Sequence, residues 1–329
     1  MDTEQTLEDF NKSQTIESKI HEACLKGETE KFLNLISEAD HLDIQDIDQK
    51  RTLIQAVKSK SLKMVQKLLD QGANINIRCG KFRLTPLFIA CRDGPDEIAI
   101  ELIERGANVN LESLDVGKVP LICAFLKNRV KVIQKLLEFG ANPNMDYNPL
   151  PPLQLACLYG FFEIAKLLML HGAKITKEAF ASATMHDNVE MVQYMLDLGA
   201  DMRQYNDLAS VSSKGHLDVL KLLIRYGADV NEIIYNCGTP LQNAVKKKHL
   251  KIVSELLKSG ANANLQYRDG NTSIHVAATL PDSMKVLLNE GGYIDLNIRN
   301  KHGQTALEIT LENGFKDVTK MILLYMKSM

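Results

Sequence analysis

The sequence predicts an all-α solenoid of stacked helix-turn-helix units joined by short β-turn fingers. Two observations carry that prediction. The triplet Gly-Ala-Asn/Asp stands at Gly72-Ala73-Asn74, Gly106-Ala107-Asn108, Gly140-Ala141-Asn142, Gly199-Ala200-Asp201, Gly227-Ala228-Asp229 and Gly260-Ala261-Asn262. Degenerate copies follow at Gly172-Ala173-Lys174 and Gly291-Gly292-Tyr293, and successive glycines lie 34, 34, 32, 27, 28, 33 and 31 residues apart. A period of about 33 residues marks a stacked helical array, in which each unit needs its neighbours to bury its apolar face. Function in such a chain sits on a surface.

Taken in order, residues 1–16 are polar and carry Asp2, Glu4, Glu8 and Asp9, which reads as a flexible acidic arm. Residues 17–329 are expected to form the array, about ten units long. The segment from Thr239 to Asn264 is the most regular unit. Thr239 suits an N-cap and Pro240 the first turn, where its missing N–H costs nothing. Leu241, Ala244 and Val245 make a short apolar stripe, and Leu250–Leu257 reads as a second helix with apolar residues at three- and four-residue spacing. Gly260 ends that helix as a left-handed residue, and Asn262 with Asn264 favours a tight turn.

Two departures from the period stand out. The usual distance from a cap glycine to the next first-helix apolar residue is 13 to 16 residues, as from Gly227 to Leu241; from Gly172 to Phe180 it is 8, and from Gly199 to Leu208 it is 9. The missing length is that of a projecting β-turn finger. Two finger-less units are therefore expected around 172–208, leaving either a functional notch or simple drift in a tolerant loop. The other departure is a shortened helix–helix loop at Ala277-Ala278-Thr279-Leu280-Pro281-Asp282.

The chain has 329 residues, 45% hydrophobic and 24% charged, with a net charge of −2. Nothing in that balance draws the whole molecule to nucleic acid or to an anionic membrane. No apolar run approaches the length of a membrane span. The acidic start is the opposite of a cationic signal-peptide start, so a cytoplasmic location is expected, with nuclear entry as a variant through the basic run Lys246-Lys247-Lys248-His249. Cys24, Cys91, Cys123 and Cys157 fall on first-helix positions where cysteine acts as a small buried hydrophobe. There is no Cys-x-x-Cys pair, no phosphate loop, no Gly-x-Ser-x-Gly and no His-Glu-x-x-His, so no catalytic residue, metal or cofactor is expected.

The unit pattern resembles the ankyrin repeat family. The family's Thr-Pro-Leu-His-x-Ala is matched by Thr85-Pro86-Leu87-Phe88-Ile89-Ala90, Thr239-Pro240-Leu241-Gln242-Asn243-Ala244 and Thr272-Ser273-Ile274-His275-Val276-Ala277. Looser copies begin at Val119-Pro120-Leu121, Pro151-Pro152-Leu153 and Thr305-Ala306-Leu307, and the family's Gly-His stands at Gly215-His216. The resemblance implies that His275 and His216 bond backbone and pack between repeats. It also implies a non-catalytic adaptor, scaffold or sequestering inhibitor that binds another protein along a concave face. Short, finger-less units resemble those of ankyrin proteins from large DNA viruses, protists and host-associated bacteria, which implies a host-directed effector as an alternative, acting in host cytoplasm. No appended catalytic or adaptor domain is expected.

Recognition in such a stack is expected on finger tips and on the exposed end of each first helix. Finger candidates include Phe82, Asp115, Tyr147, Arg268 and Asp269; helix-end candidates include Arg92, Lys127, Leu158, Tyr159, Lys246 and Lys247. Most such charges are simply a solvated face. The cluster Leu158, Tyr159, Phe161 and Phe162 is the exception, because exposed aromatics are enriched at binding hot spots. The competing reading is that Phe161 and Phe162 fill a repeat interface. His186 with Asp187 or Glu190 makes a helix-end pair, best read as solvated surface. The last helix, Val318 to Met326, is apolar nearly all round, which leaves self-association as an alternative, a homo-dimer through Leu323 and Leu324.

Overall fold

The computed structural model describes residues 16–38, 49–114, 119–145, 150–205, 207–233 and 238–328. Asp115 and Tyr147 lie outside the described residues. Among the described residues the chain forms ten helix pairs, one extra short helix and no strand. Two compact units emerge: one holds the chain up to Leu155 with Glu163–Lys174, the other Ala156–Phe162 with everything from Ile175 on.

The first unit contains α1 (Ile16–Lys26) with α2 (Thr29–Glu38), α3 (Gln49–Lys58) with α4 (Leu62–Asp70), α5 (Pro86–Asp93) with α6 (Asp96–Glu104), and α7 (Pro120–Leu126) with α8 (Val130–Glu138). Residues of α9 (Pro152–Tyr159) and α10 (Phe162–Leu170) fall in both units. The second unit continues with α11 (Lys177–Met185) and α12 (Val189–Asp197), the short α13 (Met202–Tyr205), and α14 (Leu208–Lys214) with α15 (Leu217–Arg225). It closes with α16 (Pro240–Lys246) and α17 (Leu250–Lys258), α18 (Ser273–Ala277) and α19 (Pro281–Glu290), and α20 (Ala306–Glu312) and α21 (Lys316–Ser328).

The first helices start where the sequence sets their caps. Thr85 Oγ1 accepts from Phe88 N at 3.1 Å, and Pro86 fills the first turn. At α16, Thr239 and Gln242 cap each other reciprocally, the side chain of each accepting from the backbone N–H of the other. Leu241, Ala244, Val245, Ile252, Val253 and Leu256 of α16 and α17 are then buried to 1% exposure or less. Each large apolar side chain so buried stabilises by about 1.5–3 kcal/mol.

Every second helix from α4 to α17 ends the same way. Gly72, Gly106, Gly140, Gly172, Gly199, Gly227 and Gly260 have φ between +83° and +90°, and a Cβ at any of them would meet open space. The glycine is therefore demanded by the backbone and not by crowding. The next alanine is buried, as at Ala107, Ala141, Ala228 and Ala261.

The asparagines that follow form ladders between consecutive turns. In the first unit Asn76 Oδ1 accepts from Asn108 N at 2.8 Å, Asn110 Oδ1 from Asn142 N at 3.0 Å, and Asn144 Oδ1 from Lys174 N at 2.8 Å. In the second unit Asn231 Oδ1 accepts from Asn262 N at 2.7 Å and Asn264 Oδ1 from Asp295 N at 3.0 Å. Asn110 and Asn144 also donate from Nδ2 to Gly140 O and Gly172 O, so each side chain staples two turns.

Fingers are short paired turns, one bridged at Cys79–Leu84 and one at Tyr267–Asn271. Around 172–208 the connections differ. Lys174 and Ile175 lead directly into Thr176, whose side chain caps α11 by accepting from Ala179 N. The stretch after Gly199 winds into α13. Tyr205 of that helix stacks on Phe180 with ring centroids 5.5 Å apart and donates from its hydroxyl to Ile175 O at 3.0 Å. A packed aromatic occupies the place beside α11.

Candidate protein-binding surface

The first-helix ends are positioned by the residue that opens the following second helix. In the first unit Arg129 donates from its guanidinium to Ala90 O at 2.6 Å and Cys91 O at 3.0 Å, and pairs with Asp96 at 2.6 Å. In the second unit Asn188 Nδ2 donates to Cys157 O at 3.0 Å. His216 Nε2 meets Met185 O at 3.0 Å, and His249 Nε2 meets Ser213 O at 3.2 Å. Each of these groups satisfies carbonyls left over at the end of the preceding repeat's first helix. The same register leaves the residues just before each capping position pointing outward.

Those outward positions form repeated rows. In the first unit they include Arg92, Leu126 and Lys127, the last two exposed. Arg92 is half-buried: its guanidinium lies 5.8 Å from the Phe88 ring centroid and pairs with Asp93. In the second unit the rows carry Leu158 and Tyr159, Met185 and His186, Ser213 and Lys214, and Lys246 and Lys247. Tyr159, His186, Lys214, Lys246 and Lys247 are exposed, and Leu158 is half-buried. Lys214 belongs with Lys247, a correspondence visible only when His216 and His249 are aligned by their shared carbonyl contact.

Tyr159 is 58% exposed and stacks on Phe161 at 5.8 Å between centroids. Phe161 and Phe162 are half-buried, and Phe162 meets Tyr194 edge to face at 6.1 Å. Phe162 thus reaches the next repeat, while the tyrosine faces solvent with Phe161 stacked against it. Beside them a shallow opening of about 310 Å³ is lined by Gly160, Phe162, Asp187, Asn188 and Glu190, among others. Asp187 faces His216 Nδ1 at 3.7 Å, whereas His186 Nδ1 bonds Ser182 O at 2.8 Å. His186 is exposed, and its ring folds back onto its own helix.

On the fingers, Phe82 is exposed while its carbonyl accepts from Leu114 N at 2.9 Å. Arg268 and Asp269 are exposed; the Arg268 guanidinium lies 5.7 Å from the Tyr267 ring centroid, and Asp269 O accepts from Lys301 N. These fingers are fastened to the next repeat by backbone, which leaves their side chains outward.

Among the described residues, no group of three or more His, Cys, Asp or Glu could hold a metal ion, and no helix is long and apolar enough to cross a membrane. Burial pushes the Cys24 and Cys157 thiols up to about 12 and raises Cys91 as well, so none forms a thiolate nucleophile at neutral pH.

The family model for ankyrin repeats (3 copies) matches overlapping windows at residues 20–113, 53–146, 111–179, 153–234, 180–267, 208–292 and 241–328. Similar proteins include the transient receptor potential cation channel subfamily A member 1 homolog of Caenorhabditis elegans, 29% identical over 186 residues, 52% of this chain and 15% of that protein. The B-cell lymphoma 3 protein homolog of Mus musculus is 26% identical over 187 residues, 51% of this chain and 41% of that protein. The ankyrin repeat protein YahD of Escherichia coli is 27% identical over 188 residues, 51% of this chain and 92% of that protein. The matched stretch spans less than half the length of the first two relatives. With its repeat pattern, its helix pairs and these matches in agreement, the chain belongs to the ankyrin repeat family, whose repeats are protein-interaction modules.

Proposed function

We propose that this chain is a non-catalytic adaptor, scaffold or sequestering inhibitor that holds another protein on its first-helix ends and fingers. The observation that carries the reading is Tyr159, a large aromatic left 58% exposed on a row where the helix ends are otherwise fixed in register. Aromatic side chains bring much contact area for little lost freedom, which is why they dominate binding energetics. Leu158, Lys246, Lys247, Arg268 and Asp269 of the same unit, and separately Phe82, Arg92 and Lys127 of the first unit, are proposed as further contacts that supply specificity. Tyr147 is proposed on its finger position alone. The mechanism is steric and thermodynamic: many repeats each add a small contact, and a rigid surface holds or masks the partner without bond-making.

Affinity purification with mass spectrometry tests this, comparing the native chain with a Tyr159→Ala, Arg92→Ala double variant. A protein recovered by the native chain and lost with the folded variant is the expected result. Recovery of the same protein by both would overturn the assignment.

A further inference from the structure

We propose that the turns closing α14 and α16 grip an extended acidic segment of the partner protein, with a carboxylate at every third residue. This rests on the first-helix ends being the binding surface, and it names the chemistry they receive. Gly215, next to Lys214, lies so close to the ring of His249, next to Lys248, that a Cβ on it would meet Cε1 at 2.8 Å. The two turns are thus in contact, and Lys214, Lys246, Lys247 and Lys248 are all exposed on them. Among the described residues none of the four has an ion-pair partner. Lysines on the neighbouring second helices differ. Lys221 of α15 reaches Glu255 of α17, and Lys258 of α17 reaches Glu290 of α19, each at 3.9 Å. The second helices answer these charges from within the stack, while the first-helix ends leave theirs to be answered from outside.

Lys248 is a second, independent observation. Its φ is +61°, at a position where Gly160, Gly215 and Gly314 stand in other repeats. A side chain strains the backbone there, and strain of this kind persists where a site needs the side chain. Neither crowded ammonium groups nor a left-handed lysine helps the fold itself. Partner carboxylates relieve the first and make use of the second. The spacing follows from the stack. Packed helices lie about 8–10 Å apart, and an extended or polyproline chain advances about 3.1–3.3 Å per residue. Every third residue of such a chain therefore meets the next repeat's turn. Asp187 on the preceding turn, with a net charge of −2 overall, disfavours a long polyanion such as nucleic acid.

The test uses the full chain and labelled peptides read by fluorescence anisotropy. (Glu-Pro-Pro)4 lines its carboxylates along one side of a polyproline helix, which has three residues per turn. The controls are (Lys-Pro-Pro)4, a peptide of the same composition with its glutamates contiguous, and oligothymidylate of matched length. The periodic acidic peptide should bind at least about tenfold more tightly than any control. Lys214→Glu with Lys247→Glu, both on exposed side chains, should reverse the preference toward (Lys-Pro-Pro)4. Lys248→Gly should weaken the acidic peptide about threefold while raising the urea midpoint, so that lost binding cannot be ascribed to lost structure. Failure of the periodic acidic peptide to bind, equal binding of the contiguous peptide, tighter binding of the oligonucleotide, or an acidic preference that survives the double variant would overturn the proposal. If that happens while the Tyr159→Ala, Arg92→Ala variant still loses its protein, the acidic segment alone is wrong and the first-helix ends stand. Binding of the periodic peptide beside unaltered recovery by that variant would refute the Tyr159 assignment alone.

Discussion

Six side chains other than glycine hold a left-handed backbone among the described residues: Lys60, Arg83, Asn128, Asp187, Lys248 and Arg268. Lys60, Asn128, Asp187 and Lys248 occupy the turn between the first and second helices, where Gly27, Gly160, Gly215 and Gly314 stand in other repeats. A side chain there strains the turn by about 1 kcal/mol. Lys248→Gly should therefore stabilise the chain by roughly that amount, read as a higher urea midpoint; an unchanged or lower midpoint would remove the argument. The reverse change is not symmetric. A Cβ on Gly215 would meet His249 Cε1 at 2.8 Å, so Gly215→Ala adds a clash with the ring that reaches Ser213 O. It should cost about 2 kcal/mol or more.

His275 gives a pH-dependent prediction at the same scale. Its Nδ1 accepts from Thr272 N at 3.2 Å, which leaves Nε2 to donate to Gln304 O at 3.1 Å. Burial holds its pKa below the usual histidine value, against the upward pull of its backbone hydrogen bonds. The folded chain thus keeps this ring neutral while the unfolded chain takes up a proton near pH 6.5. The contribution is complete above about pH 6.5 and is lost as pH falls from there toward the lower folded value. Gln242 does the same capping work one repeat earlier without titrating. His275→Gln should therefore lose less thermal stability than the native chain between pH 7 and 5.5; equal losses would place the titration elsewhere.

At the scale of elements, repeats are joined by groups that finish one unit's helix from the next. Arg129 is the strongest of these, with a side chain 11% exposed that spans Ala90 O, Cys91 O and Asp96. Its removal takes the guanidinium from Asp96 and Cys91 O, while Ala90 O keeps the Gly94 N–H at 3.0 Å, so Arg129→Ala should lower stability by about 2 kcal/mol. Denaturant titration checks this, and a loss under about 1 kcal/mol would show that water replaces the guanidinium. Much of this level was legible in the sequence. Thr239-Pro240 marked a helix start and Gly260 a helix end, and the 8- and 9-residue gaps after Gly172 and Gly199 marked where the connections differ. What spacing could not show was how those connections pack, because Tyr205 reaches Phe180 through a non-local stack. Nor does local pattern reveal that arginine, asparagine and histidine at Arg129, Asn188, His216 and His249 do one job, since their side chains share only the ability to donate to a carbonyl. The same holds for Lys214, which falls in register with Lys247 only through the shared contacts of His216 and His249.

Across the whole chain, stacking consumes the apolar sides of the repeats and leaves function to what remains outward. Candidate residues chosen by repeat position were partly readable for this reason: position fixed Tyr159 and Lys247 on the first-helix ends, but exposure depends on neighbours. Phe162 packs against Tyr194 of the next repeat and is half-buried, while Tyr159 stays exposed. The partner's identity leaves no trace in one chain, because a repeat surface is complementary to something encoded elsewhere. The most direct measurement is site-specific photo-crosslinking in the source cells, with a benzophenone side chain placed at Tyr159 or at Leu198, an exposed apolar residue at the end of the second helix α12. Partner binding through first-helix ends predicts one discrete adduct from position 159 and none from position 198. The same adduct from position 198, with nothing from 159, would contradict it and move recognition to the opposite ends of the helix pairs.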